Sequence, residues 1–232
     1  MSKDTFHWEG NSRFLTRLSD IPKETSTVLF YREKRSQKGI SKLKGLKRLG
    51  ARMVNQDFLD EIGELNELVE LKLEIVTATD LSPLEGLTKL RALRLANISK
   101  ISDFSLLPRL PALRYLYIEN AKKLTSLDFL EHAQSLRRLG IEGGLYSPQK
   151  IPTLAPLGEL RNLEELYLAS VQLVDKNLSY LTGCENLTVL RCARFAHEDE
   201  FNKLSSLMPQ LDCHWFNRKQ DLWPHRLRVE GD

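Results

Sequence analysis

Residues 90–97 read LRALRLAN, and this stretch contains two interleaved patterns. Leu93 and Leu95 are apolar, whereas Arg91 and Arg94 carry charges that a protein core excludes unless they are paired. Successive side chains of a β-strand point to opposite faces, so Leu93 and Leu95 would share one face and Arg94 would lie on the other. The stretch therefore predicts a strand with one buried face and one exposed face.

The leucine pattern recurs through most of the chain. Units of the form L-x-x-L-x, followed by Leu, Ile, Ala or Cys, begin at Leu46, Leu68, Leu90, Leu113, Leu136, Leu163 and Leu187. The intervals are 22, 22, 23, 23, 27 and 24 residues, and a partial unit follows at Leu211 and Cys213. Apolar residues also lie six and three positions before each first leucine. We number the positions of each unit from that leucine.

A period in the low twenties with this spacing resembles the leucine-rich repeats, and the resemblance covers about residues 40–213. Segments such as DLSPLEGLTKL (80–90) are similar to the short-repeat class found in internalins and in a eukaryotic phosphatase regulator. The resemblance implies an α/β fold, a right-handed solenoid with a concave parallel β-sheet and short helical or 3₁₀ return segments. Because one strand cannot bury its leucines alone, stacked units are needed to close the core.

Position nine departs from that class, which usually carries asparagine there. This chain has Val54, Val76, Ile98, Ala121, Gly144, Val171 and Phe195 at position nine. Buried backbone N–H and C=O groups need hydrogen-bond partners. The turns after the strands must therefore satisfy their backbone groups without a ladder of asparagine side chains.

We expect three regions along the chain. Residues 1–39, which include the apolar run VLFY (28–31), are predicted to form an N-terminal cap. Residues 40–213 form seven repeats and a partial last one, and residues 214–232 form a C-terminal cap or tail. Caps are expected because the open ends of a solenoid core would otherwise meet water.

The segment GGLYSPQKIP (143–152) lengthens the unit that begins at Leu136. Its glycine, serine and proline residues predict a surface loop, and such loops often carry binding function. Leu145, Tyr146 and Lys150 are the candidate binding residues of this loop. Neutral variation in loop length explains the insertion equally well.

Composition and charge narrow the class only modestly. The 232 residues are 41% hydrophobic, and a formal charge of +3 is too small to indicate nucleic acid by itself. Residues 1–20 contain no continuous apolar run, so we expect neither a secretory signal nor a membrane span. Three cysteines, few and odd in number, favour reduced thiols and a cytoplasmic protein over a disulfide framework.

The sequence has none of the common patterns typical of an enzyme. Its five histidines form no H-x-x-x-H or H-E-x-x-H motif, and it lacks G-x-S-x-G, P-loop and G-x-G-x-x-G motifs. We expect Cys192 and Cys213 at equivalent sixth positions of neighbouring strands, as buried apolar residues. Zinc held by these thiols and His214, or a metal at HEDE (197–200), is a weaker interpretation. The sequence therefore predicts a protein that is not an enzyme and has no cofactor and no metal.

The outward positions of the predicted sheet are the best candidates for function. Arg91, Arg114 and Arg137 share position two, so they should form a column with a spacing of about 4.8 Å. Like charges this close repel by roughly 1 kcal/mol per pair in water, so folding alone does not favour the column. Arginine and tyrosine are enriched at interface hot spots. The predicted protein-binding residues are Arg91, Arg94, Arg114, Tyr115, Tyr117, Arg137, Arg138, Tyr167 and Arg191.

This face favours a protein partner with an acidic surface, bound by a chain that is monomeric on its own. An intracellular inhibitor such as an immunity-type protein is one version of this prediction. An adaptor or regulatory subunit of an enzyme such as a phosphatase is the other, and ordinary solvated side chains remain a third explanation. Nucleic acid is disfavoured because Glu70, Glu119 and Glu164 interrupt the basic positions, and a membrane is not an expected partner.

Overall fold

The main sheet is one stack of parallel strands that follow each other in chain order. The computed structural model describes residues 13–144 and 146–216. In these ranges nine strands form this sheet, and a separate pair lies on its flank. The nine are β1 (Thr27–Tyr31), β2 (Arg48–Val54), β3 (Glu70–Val76), β4 (Ala92–Ile98), β5 (Tyr115–Ala121), β6 (Arg138–Glu142), β8 (Glu165–Ala169), β10 (Val189–Cys192) and β11 (Asp212–Cys213). The flanking pair is β7 (Gln149–Ile151) and β9 (Val171–Leu173).

Short helical segments return the chain from one strand to the next, as the sequence predicts. Two are α-helices, α1 (Gln56–Gly63) and α2 (Glu198–Leu207). The others in the described ranges are 3₁₀-helices at Leu18–Asp20, Ile40–Lys42, Ser82–Gly86, Leu107–Arg109, Asp128–Leu130, Ala155–Glu159 and Ser179–Gly183. Proline stands in the first turn of three of them, where its missing N–H is tolerated. None of the helices described is long and apolar enough to cross a membrane.

The repeated leucines form one continuous core behind the sheet. Position four is in direct register from strand to strand, through Leu49, Leu71, Leu93, Leu116, Leu139, Leu166 and Leu190. All of these side chains are buried, as are return-segment residues such as Leu84 and Leu87. Each buried leucine contributes roughly 1.5–3 kcal/mol relative to an exposed one. The predicted α/β solenoid with a parallel sheet is confirmed.

A left-handed residue follows position seven in five of the units. Position eight has φ between +48° and +63° at Met53, Ile75, Asn97, Asn120 and Ser170. This conformation interrupts the alternation of the strand, so position nine turns back into the core instead of facing out. Val54, Val76 and Ile98 are accordingly buried.

Main-chain hydrogen bonds between units take the place of the missing asparagine ladder. The N–H of position ten donates to the C=O of position nine in the preceding unit. Thr77 donates to Val54 at 2.8 Å, and Ser99 donates to Val76 at 3.2 Å. In the next unit Lys122 donates to the C=O of Ile98 at 3.0 Å. The backbone groups of these turns are therefore satisfied by main-chain bonds, without asparagine side chains at position nine.

The two ends of the stack involve the predicted caps. β1 lies within residues 1–39 yet pairs in parallel with β2, and its Val28 and Phe30 are buried in the core. Residues 1–12 and 217–232 lie outside the described residues. The cap boundaries at residues 39 and 214 therefore stay predictions.

The register of the last strand differs from our expectation for the cysteines. Cys213 pairs with Leu190, a position-four residue, so it is not equivalent to Cys192 at position six. The reason is that Leu211 packs into the core before β11 begins, instead of occupying a strand position. Cys192 and Cys213 are both buried and are free thiols.

Candidate functional site

The concave face is the outward surface of the main sheet, formed by positions three, five and seven of its strands. Six of the predicted binding residues lie on it in direct cross-strand pairs. The pairs are Arg94 with Tyr117, Tyr115 with Arg138, and Tyr167 with Arg191. The structure thus brings arginine and tyrosine side chains together on β4, β5, β6, β8 and β10.

Arg94 and Tyr117 form the centre of this face. The Arg94 guanidinium lies over the Tyr117 ring, 5.0 Å from its centroid, and Arg94 Nη2 is 2.6 Å from Glu119 Oε2. Tyr117 Oη donates a hydrogen bond to Glu142 Oε2. The Tyr117 ring also covers Gly140, where an added Cβ would overlap it. A glycine on one strand therefore makes room for the aromatic ring of its neighbour.

These contacts shift the pKa values of the central groups. Burial lowers the pKa of Arg94, but its hydrogen bond and charge interaction with Glu119 outweigh burial and raise it overall. Burial, followed by the hydrogen bond to Glu142, raises the pKa of Tyr117. At neutral pH Arg94 is therefore a cation with a fixed carboxylate partner, and Tyr117 is a neutral donor.

A second set of contacts orders the next strands. The Arg138 guanidinium lies 5.1 Å from the centroid of the Tyr115 ring, and Arg138 Nε is 3.0 Å from Glu165 Oε1. Tyr167 Oη donates to Glu165 Oε2 at 2.8 Å. Burial and the hydrogen bond to Glu165 raise the pKa of Tyr167. Arg191, at the same height as Tyr167, has its Nη2 2.5 Å from Asp212 Oδ2.

Most cations of the concave face are therefore paired with a carboxylate on the same or a neighbouring strand. Earlier strands repeat the arrangement, with Arg48 Nε 3.2 Å from Glu70 and Arg52 Nη2 2.5 Å from Glu74. Lys72 Nζ is 2.6 Å from the other oxygen of Glu74. The sequence predicted an arginine- and tyrosine-rich face, and the structure shows that most of the charges on this face are paired with each other.

The position-two residues, which we call the strand-start column, behave differently. The N–H of Arg114 donates to the C=O of Arg91, and the N–H of Arg137 donates to that of Arg114, both at 2.9 Å. Arg137 forms an ion pair with Glu164. Arg114 Nη1 donates to the carbonyls of Leu113 and Pro111 at 3.0 and 3.2 Å. Within residues 13–144 and 146–216, neither Arg91 nor Arg114 has a carboxylate partner.

The opposite edge of the face, where the strands end, is acidic in the middle of the stack. Glu74, Glu119 and Glu142 share position seven on β3, β5 and β6. A cavity of about 450 Å³ lies beside two of them, lined by Asn97, Glu119, Asn120, Glu142, Gly143, Gly144 and Ser170. Asn120 Nδ2 donates to Asn97 Oδ1 at 2.8 Å in its wall. Sequence reasoning missed this cavity, because Asn97, Asn120 and Ser170 reach it from left-handed position-eight turns that the sequence did not predict.

Of the three loop residues proposed from the sequence, the structure describes Tyr146 and Lys150. Leu145 is outside the described residues. Tyr146 is 94% exposed, and Lys150 is the middle residue of β7 on the flank. The loop therefore adds a second surface instead of extending the first.

The charged segment HEDE has a structural role at a helix start. His197 is the N-cap of α2, and its Nδ1 accepts the N–H of Asp199 at 3.4 Å. Glu198, Asp199 and Glu200 occupy the first turn, where the helix dipole favours negative charge. In the part of the chain that is described, no cluster of three or more histidine, cysteine or acidic residues could hold a metal ion.

The cysteines differ in their chemistry. Burial raises the pKa of Cys184 to about 12, which keeps it a neutral thiol. Cys192 and Cys213 interact through their side chains, and that hydrogen bond lowers the pKa of Cys213 to about 7. The same contact, together with burial, raises the pKa of Cys192.

Comparison with known proteins places this geometry in a known fold. No protein-family model and no curated protein matches the chain. Among solved structures, internalin C2 of Listeria monocytogenes is 21% identical, with 66% of this chain and 84% of that one covered and a TM-score of 0.37. A chain of the Toll–Spätzle complex of Drosophila is 17% identical, with 72% of this chain and 23% of that one covered and a TM-score of 0.55. A leucine-rich-repeat protein of Leptospira interrogans is 18% identical, with 79% of this chain and 59% of that one covered and a TM-score of 0.49.

At these identities the likeness is one of fold. The chain has the leucine-rich-repeat fold that its spacing predicts, with a parallel sheet and short helical return segments. Its site residues must be interpreted from their own contacts.

Proposed function

We propose that the chain is a non-catalytic protein-binding module whose concave face and strand-start column receive a protein partner with acidic side chains. The observation that carries the proposal is the state of Arg91 and Arg114. They are neighbouring cations that no carboxylate of the described residues neutralises, although most cations on the concave face are paired. An acidic partner would supply the missing carboxylates and relieve the repulsion between the two arginines.

The rigidity of the concave face supports the same proposal. Arg94 and Arg138 are each held by an aromatic ring and a carboxylate, so few rotamers remain to be lost on binding. Ordering a long side chain at an interface costs about 0.5–1.5 kcal/mol, which a preorganised surface avoids. Tyr115 and Tyr117 add the aromatic area that dominates interface hot spots.

Two roles fit such a module. In the first, the partner is an enzyme or toxin that the chain inhibits inside the cell, as an immunity-type protein would. In the second, the chain is an adaptor or regulatory subunit, for instance of a phosphatase. The three free, buried thiols support a cytoplasmic setting for either role. The two roles differ in their effect on the partner. An inhibitor would abolish the partner's activity on binding, whereas an adaptor or regulatory subunit would redirect it.

The experiment is co-purification from the cells in which the gene occurs, with quantitative mass spectrometry. We expect the double variant Arg91→Glu/Arg114→Glu to lose the partner while its melting temperature stays near that of the wild type. The control is Lys100→Glu/Arg109→Glu, which changes the net charge equally at exposed positions away from the concave face. Retention of the partner by Arg91→Glu/Arg114→Glu would show that this face is not the binding surface.

Nucleic acid is the rival ligand, and it gives a different result. A phosphate backbone needs cations that are free to contact it, whereas most cations on the concave face already have carboxylate partners. We therefore expect no shift of a labelled oligonucleotide at low salt. A shift that weakens steeply with salt and disappears in Arg91→Glu/Arg114→Glu would replace the protein-binding proposal.

A further inference from the structure

The insertion builds a strand with one free edge. β7 pairs in parallel with β9 on the flank of the solenoid, apart from the concave face. The N–H of Gln149 donates to the C=O of Ser170 at 2.8 Å, and the C=O of Ile151 accepts from the N–H of Val174 at 2.9 Å. Residues 149 and 151 therefore use their main-chain groups toward β9.

The residue between them faces the other way. In a parallel ladder alternate residues of a strand direct their N–H and C=O to opposite edges. Lys150 therefore directs both main-chain groups away from β9. Across residues 13–144 and 146–216, no hydrogen bond is made to either group. An edge with a free donor and a free acceptor is a template for another strand.

A cavity of about 520 Å³ lies along this free edge. One wall is Ser147, Pro148, Gln149, Lys150 and Pro152, and the other is the preceding unit at Asn120, Ala121, Lys122, Leu124 and Thr125. Gln149 Nε2 donates to the C=O of Leu124 at 2.7 Å and joins the two walls. Leu124 supplies a buried apolar floor.

The insertion supplies one wall of the cavity. In the earlier units the C=O of position nine accepts an N–H from position ten of the next unit. In the unit that begins at Leu136, β6 ends at Glu142, and the chain then forms β7 at Gln149–Ile151, outside the main sheet. The C=O of Ala121 accepts the N–H of Leu124 at 3.1 Å within its own unit.

We propose that this cleft is a second binding site, which takes an extended peptide segment as a third strand on β7. The peptide would pair its main chain with Lys150, as in other cases where a peptide extends a sheet edge. Alternate side chains would face Leu124 and the two prolines. Lys122 and Lys150 line the opening, so an acidic side chain next to the paired residue fits their charge.

The test uses a phage-displayed library of random 12-residue peptides, selected on the full chain. Selected peptides are synthesised with a fluorescein label and measured by fluorescence anisotropy. Lys150→Pro removes the N–H that faces the cleft, and proline is tolerated at an edge where that N–H is unpaired. Lys150→Gln is the matched control, since it removes the same charge and keeps the N–H.

We expect the selected peptides to carry an aspartate or glutamate and to bind Lys150→Pro at least tenfold more weakly than the wild type. Lys150→Gln should weaken binding only a few-fold, and hydrogen exchange of the Lys150 amide should slow when peptide is bound. Equal losses in the two variants would mean that charge alone binds the peptide and would overturn strand addition. Selection of no peptide, or of peptides that bind Lys150→Pro normally, would overturn the site.

The same measurement separates this site from the proposed function. Arg91→Glu/Arg114→Glu should leave peptide binding at the cleft unchanged, because these residues precede strands of the main sheet and are not in the lining of the cleft. Peptides lost in that variant but retained by Lys150→Pro would support the concave face and reject the cleft.

Discussion

Tyr117 is the side chain around which the concave face is arranged. Arg94 lies over its ring, Glu142 accepts its hydroxyl, and Gly140 leaves the space beneath it. Gly140 has no positive φ, so its backbone conformation does not call for glycine. Its role is steric, and the face depends on the absence of one Cβ.

Gly140→Ala should therefore destabilise the protein by about 1–3 kcal/mol, the usual effect of forcing an extra carbon into a packed site. The Tyr117 ring must move, which also breaks its contacts with Arg94 and Glu142. Urea denaturation measures the change. The control is Gly45→Ala, where an added Cβ meets nothing within 4 Å. Equal stability of the two variants would contradict the steric role of Gly140.

Position eight shows where residue type and conformation disagree. Asparagine tolerates the left-handed region, so Asn97 and Asn120 suit it, whereas a β-branched residue such as Ile75 is strained there. The leucines are predictable from the sequence because every unit repeats them. The left-handed turn is not, because Met53 and Ile75 give no local signal for it and the stacking of the units imposes it.

Ile75→Asn should relieve this strain. The substitution relieves the left-handed backbone of about 1 kcal/mol of strain. Because the Ile75 side chain is 39% exposed, the substitution also loses part of its apolar burial, which opposes that gain. Val174, which is 50% exposed and has no positive φ, provides the comparison. We expect Ile75→Asn to be more stable than Val174→Asn by about 1 kcal/mol in urea denaturation. No difference between them would show that position eight is unstrained.

At the scale of the elements, Glu61 links α1 to the preceding return segment. Both of its carboxylate oxygens lie 3.2 Å from the N–H of Gly39, and Oε2 also accepts from the N–H and hydroxyl of Ser41. Burial raises the pKa of Glu61, but these hydrogen bonds and the charge of Lys38 outweigh burial and lower it below 4.5. The ionised carboxylate therefore stabilises the start of the helix Ile40–Lys42.

Glu61→Gln should lose about 1 kcal/mol of stability at pH 7, the typical net contribution of such hydrogen bonds. A lowered folded-state pKa gives stability that is present above the unfolded value of 4.5 and is lost as the pH falls through the folded value. The difference between wild type and Glu61→Gln should therefore shrink below pH 4.5. Glu64→Gln, which removes only an exposed ion pair with Lys44, should have little effect.

The candidate site was predictable only in part, for a physical reason. Repeat positions place Arg94, Tyr115, Tyr117 and Arg138 on one face, and spacing alone shows this. The partner of Arg94 is harder to predict, because Glu119 reaches it from position seven of the neighbouring strand, whereas Glu165 lies directly opposite Arg138 at position three. Whether a cation is free or neutralised depends on that reach. The cleft beside β7 depends on the path of the insertion outside the main sheet. The repeat pattern does not predict that path.

At the scale of the whole molecule, the units act as one body because each shares its core and its hydrogen bonds with the next. The fold was predictable from the repeated leucine pattern, since seven units of similar length can share a core by stacking their leucines in register. The two ends of the stack were less predictable than its middle. β1 continues the sheet without the leucine pattern, and β11 enters in a different register. End units have a neighbour on one side only, so their sequences are less constrained.

The two arginines of the strand-start column that lack a carboxylate partner among the described residues have a kinetic consequence. Arg91 and Arg114 keep their positive charge uncompensated, whereas Glu74 and Glu119 at the opposite edge are paired with cations. This local positive charge would attract and steer an acidic protein before the surfaces meet. Dissolved ions weaken such steering. Added salt should therefore slow the encounter between the two proteins far more than it shortens the life of the complex once formed.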